Sequence, residues 1–236
     1  MVTRPTDARR RCGRLAGETG FTLVEVLVVT VMSILIVGGV VLAAKQIQEG
    51  YGQQFETAAA EQEARYALDW IQRLLRQAGS NPFGIRLSAC VGTGLLPSVN
   101  GFPPLVRDPD GNGIDDDVRI LADSSSPDGL LGGPGPAPGG CTEANEDLTI
   151  AYSTANRNLT LFDRNQPALG TQVMSDSVVT ALRFVYRDRD HVATTDMSRV
   201  AWVQVSLTTE ARLRDPRTNQ FPTYSVAVDV RLRPRW

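Results

Sequence analysis

The sequence predicts an α+β fold in which a long N-terminal helix covers one face of an antiparallel sheet of about four to five strands. Three observations carry that reading. An apolar run from Phe21 to Ala44 passes into a proline-free stretch, Gln46 to Ala78, whose apolar residues recur at helical spacing. The last third of the chain, residues 147–236, instead alternates apolar with polar residues. Between them, residues 80–146 are rich in Gly, Pro, Ser and Asp and carry little periodic pattern. With 236 residues, 42% hydrophobic and 21% charged, the chain has material for one ordinary domain plus an appendage, which excludes a disordered tail.

The first element is a leader, residues 1–20. It carries Arg4, Arg9, Arg10, Arg11 and Arg14 against Asp7 and Glu18, so a formal charge of -2 for the whole chain conceals a basic start and an acidic body. An acidic body argues against nucleic acid as a partner. The apolar run that follows, residues 21–44, is 24 residues long, and a bilayer core needs roughly 20 in a helix. A basic leader before the span and no charge cluster just after it predict a cytoplasmic N-terminus and an exported body.

Glu25 departs from a plain anchor. On insertion scales a carboxylate at mid-bilayer costs on the order of 2.5–3.5 kcal/mol, less near the interface, so a glutamate five residues into the span calls for a partner. The alternative is that it lies at headgroup depth and reaches water.

The segment Gly20-Phe21-Thr22-Leu23-Val24-Glu25 resembles the processing signal of type IV pilins and of the related pseudopilins of type II secretion. That resemblance implies cleavage between Gly20 and Phe21 by a membrane-embedded prepilin peptidase on the cytoplasmic side, with methylation of the new Phe21 amine. It also implies a role for Glu25. When one subunit's helix packs beside its neighbour's, a buried carboxylate can pair with the terminal amine of the adjoining chain and set the axial register. The implied partners are the peptidase, the inner membrane and other pilins or pseudopilins. The implied location is a single-pass inner-membrane protein with a periplasmic C-terminal domain that later joins a periplasmic or extracellular filament.

The second half of the helix, residues 45–79, offers the stripes Ile47, Tyr51, Phe55, Ala58 and Ala67, Trp70, Ile71, Leu74, Ala78. A helix from Phe21 to Ala78 would be about 87 Å long at 1.5 Å per residue, more than a domain of this size can enclose. Gly38, Gly39, Gly50 and Gly52 are candidate bends or, equally, places of close helix packing. Gly79 and Pro82 predict the end of the helix.

Residues 80–146 read as an irregular excursion. Cys12 lies in the leader, which leaves Cys90 and Cys141 in the exported part. A disulfide between them would close a loop of about fifty residues and add roughly 4 kcal/mol on chain-entropy grounds; two free thiols are the alternative. The run "RDPDGNGIDDDVRI" places Asp108, Asp110, Asn112, Ile114 and Asp116 at alternate positions around Gly113, a spacing of hard oxygen donors suited to Ca²⁺. It resembles the calcium loops of thrombospondin type 3 and EF-hand-like repeats. Position twelve is Arg119 rather than glutamate, so a closing carboxylate has to come from Asp115, Asp117 or elsewhere. The competing reading is an acidic, glycine-rich turn with no ion. No cofactor is otherwise required.

Five segments then read as strands: "DLTIAYST", "NLTLF", "VVTALRFVYRD", "VAWVQVSLTTEAR" and "TYSVAVDVRLRP". With the helix as their cover, this is the pilin fold that the leader's resemblance implies. The strand segments and "RLLRQAGSNP" are similar to the larger minor pilins of the PilW type and to J-type minor pseudopilins. Such subunits belong at or near a filament tip and help to start assembly. The expected function is therefore a minor pilin-like subunit, with a minor pseudopilin or a membrane-anchored adhesive module as alternatives. An enzyme is not expected: the single histidine, His191, has no nucleophile or metal-ligand partner near it in sequence, and no phosphate loop or dinucleotide fingerprint occurs.

Overall fold

In the computed structural model the described residues are 20–81, 102–124, 131, 143–176, 178–216 and 218–232. The chain forms two compact units, the first ending at Gly50 and the second beginning at Tyr51. The leader up to residue 19, Pro82, Cys90 and Cys141 lie outside the described residues, so the predicted disulfide does too.

Helix α1 runs from Leu23 to Gln77 and contributes to both units. Its start is chemically defined. The Thr22 Oγ1 accepts the Glu25 N–H at 3.3 Å, and its hydroxyl faces the Glu25 Oε2 at 3.4 Å, the two ends of a Thr-x-x-Glu capping arrangement. Its end is equally defined. Gly79 takes a φ of +73°, a left-handed value that glycine adopts without a Cβ penalty, and donates its N–H to the Leu121 carbonyl at 2.8 Å. A Cβ at Gly79 would stand 2.9 Å from the Pro104 Cβ, so this turn is closed to larger residues.

Among the described residues eight strands, all paired antiparallel, follow in two sheets, where the sequence predicts one sheet of about four to five strands. The first sheet is ordered β1 (Leu105–Arg107), β2 (Asp117–Leu121), β3 (Asp147–Ser153), β4 (Asn158–Asp163) and β5 (Gln172–Val173). The second is β6 (Val179–Arg187), β7 (Trp202–Glu210) and β8 (Thr223–Arg231). All five predicted strands are present, as β3, β4, β6, β7 and β8. The additions β1 and β2 fall inside the stretch expected to be irregular. They are three and five residues long, too short for a period to emerge between Pro, Asp and Gly.

Register explains the core. In the first sheet Val118, Ile150 and Leu161 stand opposite one another across β2, β3 and β4. In the second, Phe184, Val205 and Val228 do the same across β6, β7 and β8. These rows pack with Ala64, Ala67, Leu68, Ile71 and Leu75 of the helix, and with Ala78 just past its end, in one apolar cluster. Positions 64, 67, 68, 71, 75 and 78 repeat at three and four, as one buried helix face requires. The expected upper stripe is not buried: Tyr51, Phe55 and Ala58 are exposed, and the contact is made by alanines. Small side chains allow the closer approach, and the Thr209 hydroxyl reaches the Ala60 carbonyl at 3.0 Å in the interior.

The opposite face of β2 is buried as well. Leu121 packs with Phe102 and Leu131, while Arg119 makes a bidentate, buried pair with Asp147 at 2.6 Å on each arm. A carboxylate and a guanidinium meet there in matched geometry, which offsets their loss of water.

Candidate functional site

Two groups of residues stand out, one in each unit. In the first, Gly20 and Phe21 precede the helix, and Phe21 is 81% exposed. Sixteen large apolar side chains from Phe21 to Leu42 are each at least 48% exposed. A surface that apolar is not left in water by a soluble fold and needs lipid or protein around it. Among the described residues, α1 is the one helix long and apolar enough to cross a membrane. Within this surface the carboxylate of Glu25 is the only charged side chain before Lys45, and in the single chain its neighbour is the Thr22 hydroxyl.

In the second unit, the acidic hairpin between β1 and β2 folds around Gly111 (φ +74°) and Gly113 (φ +80°), with Asp108 also left-handed at +48°. The Asp108 carboxylate accepts the N–H of Asn112 at 3.0 Å and of Gly113 at 2.9 Å. Asp110 accepts the Asn112 N–H at 3.0 Å and its amide Nδ2 at 2.7 Å, and the Asn112 Oδ1 accepts the Ile114 N–H at 2.6 Å. The side chains at positions 108, 110 and 112 thereby fix the loop's own backbone. One oxygen from each of Asp108, Asp110 and Asp117 lies within 4.8 Å of the others.

Asp117 is the member that spacing did not single out. Of the two closing carboxylates left open by the sequence, Asp115 forms a two-armed pair with Arg107, one arm at 3.0 Å. Asp117 turns inward instead, where its Oδ2 accepts the Asp110 N–H at 3.2 Å. It is 3% exposed, and its Oδ1 has no hydrogen-bond partner among the described residues. Asp116 lies outside this trio, and its carbonyl accepts the Tyr152 N–H at 3.2 Å.

The electrostatics follow from that arrangement. Burial pushes the Asp117 carboxyl up to about 7, and the Asp110 charge adds to the shift. Burial also raises Asp116. For Asp108 burial acts upward too, but donation from Gly113 and Asn112 outweighs it and leaves that carboxyl below the usual range. The nearby Tyr186 hydroxyl is buried with no hydrogen-bond partner among the described residues, and its pKa rises above the phenol range through burial, with Asp115 and Asp117 contributing.

No family model, curated protein or solved structure matches the chain. The reading of these sites therefore rests on their own residues. His191, the lone histidine, stacks on the Trp202 ring at 4.8 Å, and Arg231 lies over the same ring at 5.7 Å. It remains exposed in its turn, with its ring against that of Trp202. Sequence reasoning missed Thr22 as the partner of Glu25, although Thr-x-x-Glu before an apolar run is a readable signal.

Proposed function

We propose that the chain is a minor pilin-like subunit of a type IV filament system, cut between Gly20 and Phe21, N-methylated at Phe21 and assembled through residues 21–44. The observation that carries this reading is Glu25 at the head of a helix whose first segment, to Leu42, is apolar and exposed on every side. A plain anchor needs the apolar surface but gains nothing from the carboxylate.

Cleavage frees a primary amine at Phe21, which N-methylation then makes secondary; either form is largely cationic near neutral pH. In the bilayer, Glu25 lies close enough to the interface for its cost to be modest, with the Thr22 hydroxyl beside it. Transfer of the helix from lipid into a bundle of like helices exchanges one apolar surrounding for another, so hydrophobic burial contributes little to the direction of the step. The pairing of Glu25 with the amine of an adjoining subunit supplies direction and register, because misaligned helices leave two charges unpaired. The same residues serve a minor pseudopilin of type II secretion, which has the same chemistry in another machine.

Glu25→Ala tests the pairing. It is expected to leave membrane insertion intact while reducing recovery of the subunit in sheared filaments or in crosslinked assembly complexes by at least about tenfold, the loss of one charge pair of roughly 1.4 kcal/mol or more. Unchanged recovery would remove the argument from Glu25.

A further inference from the structure

We infer that the hairpin between β1 and β2 is a calcium site, in which Asp108, Asp110 and the buried Asp117 supply carboxylate oxygens. The Asn112 amide oxygen and the Ile114 carbonyl stand next in the ring by their place in the loop. This inference goes beyond the filament reading and does not depend on it.

Two independent observations meet here. The first is the loop itself, with side-chain oxygens at its first, third and fifth positions and Gly113 left-handed at its sixth, where a sharp turn lets the seventh carbonyl face inward. The second is Asp117, which belongs to β2 and not to the turn. Strand pairing with Ala151 holds it in place, the fold removes it from water, and one of its oxygens has no donor among the described residues. A buried carboxylate oxygen with no partner costs on the order of 1–3 kcal/mol or more, so the fold carries a defect that a cation at this position would remove.

Distances and donor type agree with the ion. Oxygens that share one Ca²⁺ at about 2.3–2.6 Å lie no more than about 5 Å apart, and the three carboxylate oxygens fall within 4.8 Å. Every donor is a hard oxygen and one is a backbone carbonyl, the set that favours calcium over zinc or copper. Arg107 is no competitor, because its guanidinium is engaged by Asp115.

The position gives the ion a structural task. The hairpin joins the end of β1 to the start of β2, and the Asp115 carbonyl accepts the Phe184 N–H of β6 at 2.8 Å. Calcium at the hairpin therefore fastens the place where the first sheet meets the second. Calcium modules with this kind of loop bind over a wide range, the weakest at about 10⁻⁴–10⁻³ M, so millimolar calcium is the concentration at which the site is tested.

The test uses the full chain in detergent micelles, stripped with a chelator and titrated with CaCl₂ by calorimetry, with thermal unfolding followed in CaCl₂ and in chelator. One site per chain is expected, with a higher melting temperature in calcium. Asp108→Asn with Asp110→Asn should weaken binding on the order of 100-fold. Asp117→Asn should weaken it about 10-fold or more, yet melt at the same or a higher temperature than the parent in chelator, since it removes a buried unpaired charge. Absence of both heat and a melting shift in the parent at millimolar calcium overturns the inference. So does parental affinity in Asp117→Asn, or equal binding of magnesium. Processing at Gly20 is not read by any of these measurements, so failure here leaves the filament reading where it stood.

Discussion

The two ends of α1 are made of the same secondary structure and opposite chemistry. Residues 21–42 carry Val, Leu and Ile on every side and bury none of them within the chain. Residues 60–78 carry apolar side chains on one face, four of the seven buried positions being alanine, and that face is covered by the sheets. The difference teaches that the first segment is built for surroundings the chain does not supply, while the second carries its own. A helix apolar all round needs lipid or like helices; a helix apolar on one face needs a domain.

The sharpest way to break that comparison is the same truncation in both segments. Leu75→Ala should destabilise the second unit by about 2–5 kcal/mol, as a fully buried leucine does. Leu35→Ala, at 66% exposure, should leave the unfolding of that unit within about 0.5 kcal/mol of the parent. Chemical denaturation in detergent micelles, read by tryptophan fluorescence, measures both. Equal effects would mean that the two segments do not differ as described.

A smaller effect separates glycines. Gly79→Ala should cost at least about 1–2 kcal/mol, because a left-handed backbone and the nearby Pro104 both oppose a Cβ. At Gly38 a Cβ meets nothing within 4 Å, and alanine there should favour the helix by up to about 1 kcal/mol. Circular dichroism melts of the two variants should therefore move in opposite directions or differ by that sum.

How much of this was legible in the sequence depends on whether a signal is local. The strands β6, β7 and β8 have nine residues each, long enough for alternation to show. By contrast, β5 has two residues and β1 three, and no period can be read from them. The division into two sheets is a matter of pairing between distant segments, which alternation does not encode. Along the helix, large apolar residues suggested the wrong upper stripe. Tyr51 and Phe55 are conspicuous in sequence, whereas the contact is made where small residues at 60 and 64 let strands approach. In the hairpin, Asp108, Asp110 and Asn112 were legible because alternate donors around a glycine form a local pattern. Asp117 gained its part from burial in β2, a property that only the folded sheet confers.

The most direct test of the central claim is the intact mass and N-terminal sequence of the chain purified from membranes of cells with and without a prepilin peptidase. With the enzyme, the account predicts a protein that begins at N-methylated Phe21 and has lost residues 1–20; without it, the leader remains. An unchanged mass in the presence of the enzyme, or a new N-terminus at any residue other than Phe21, would contradict it.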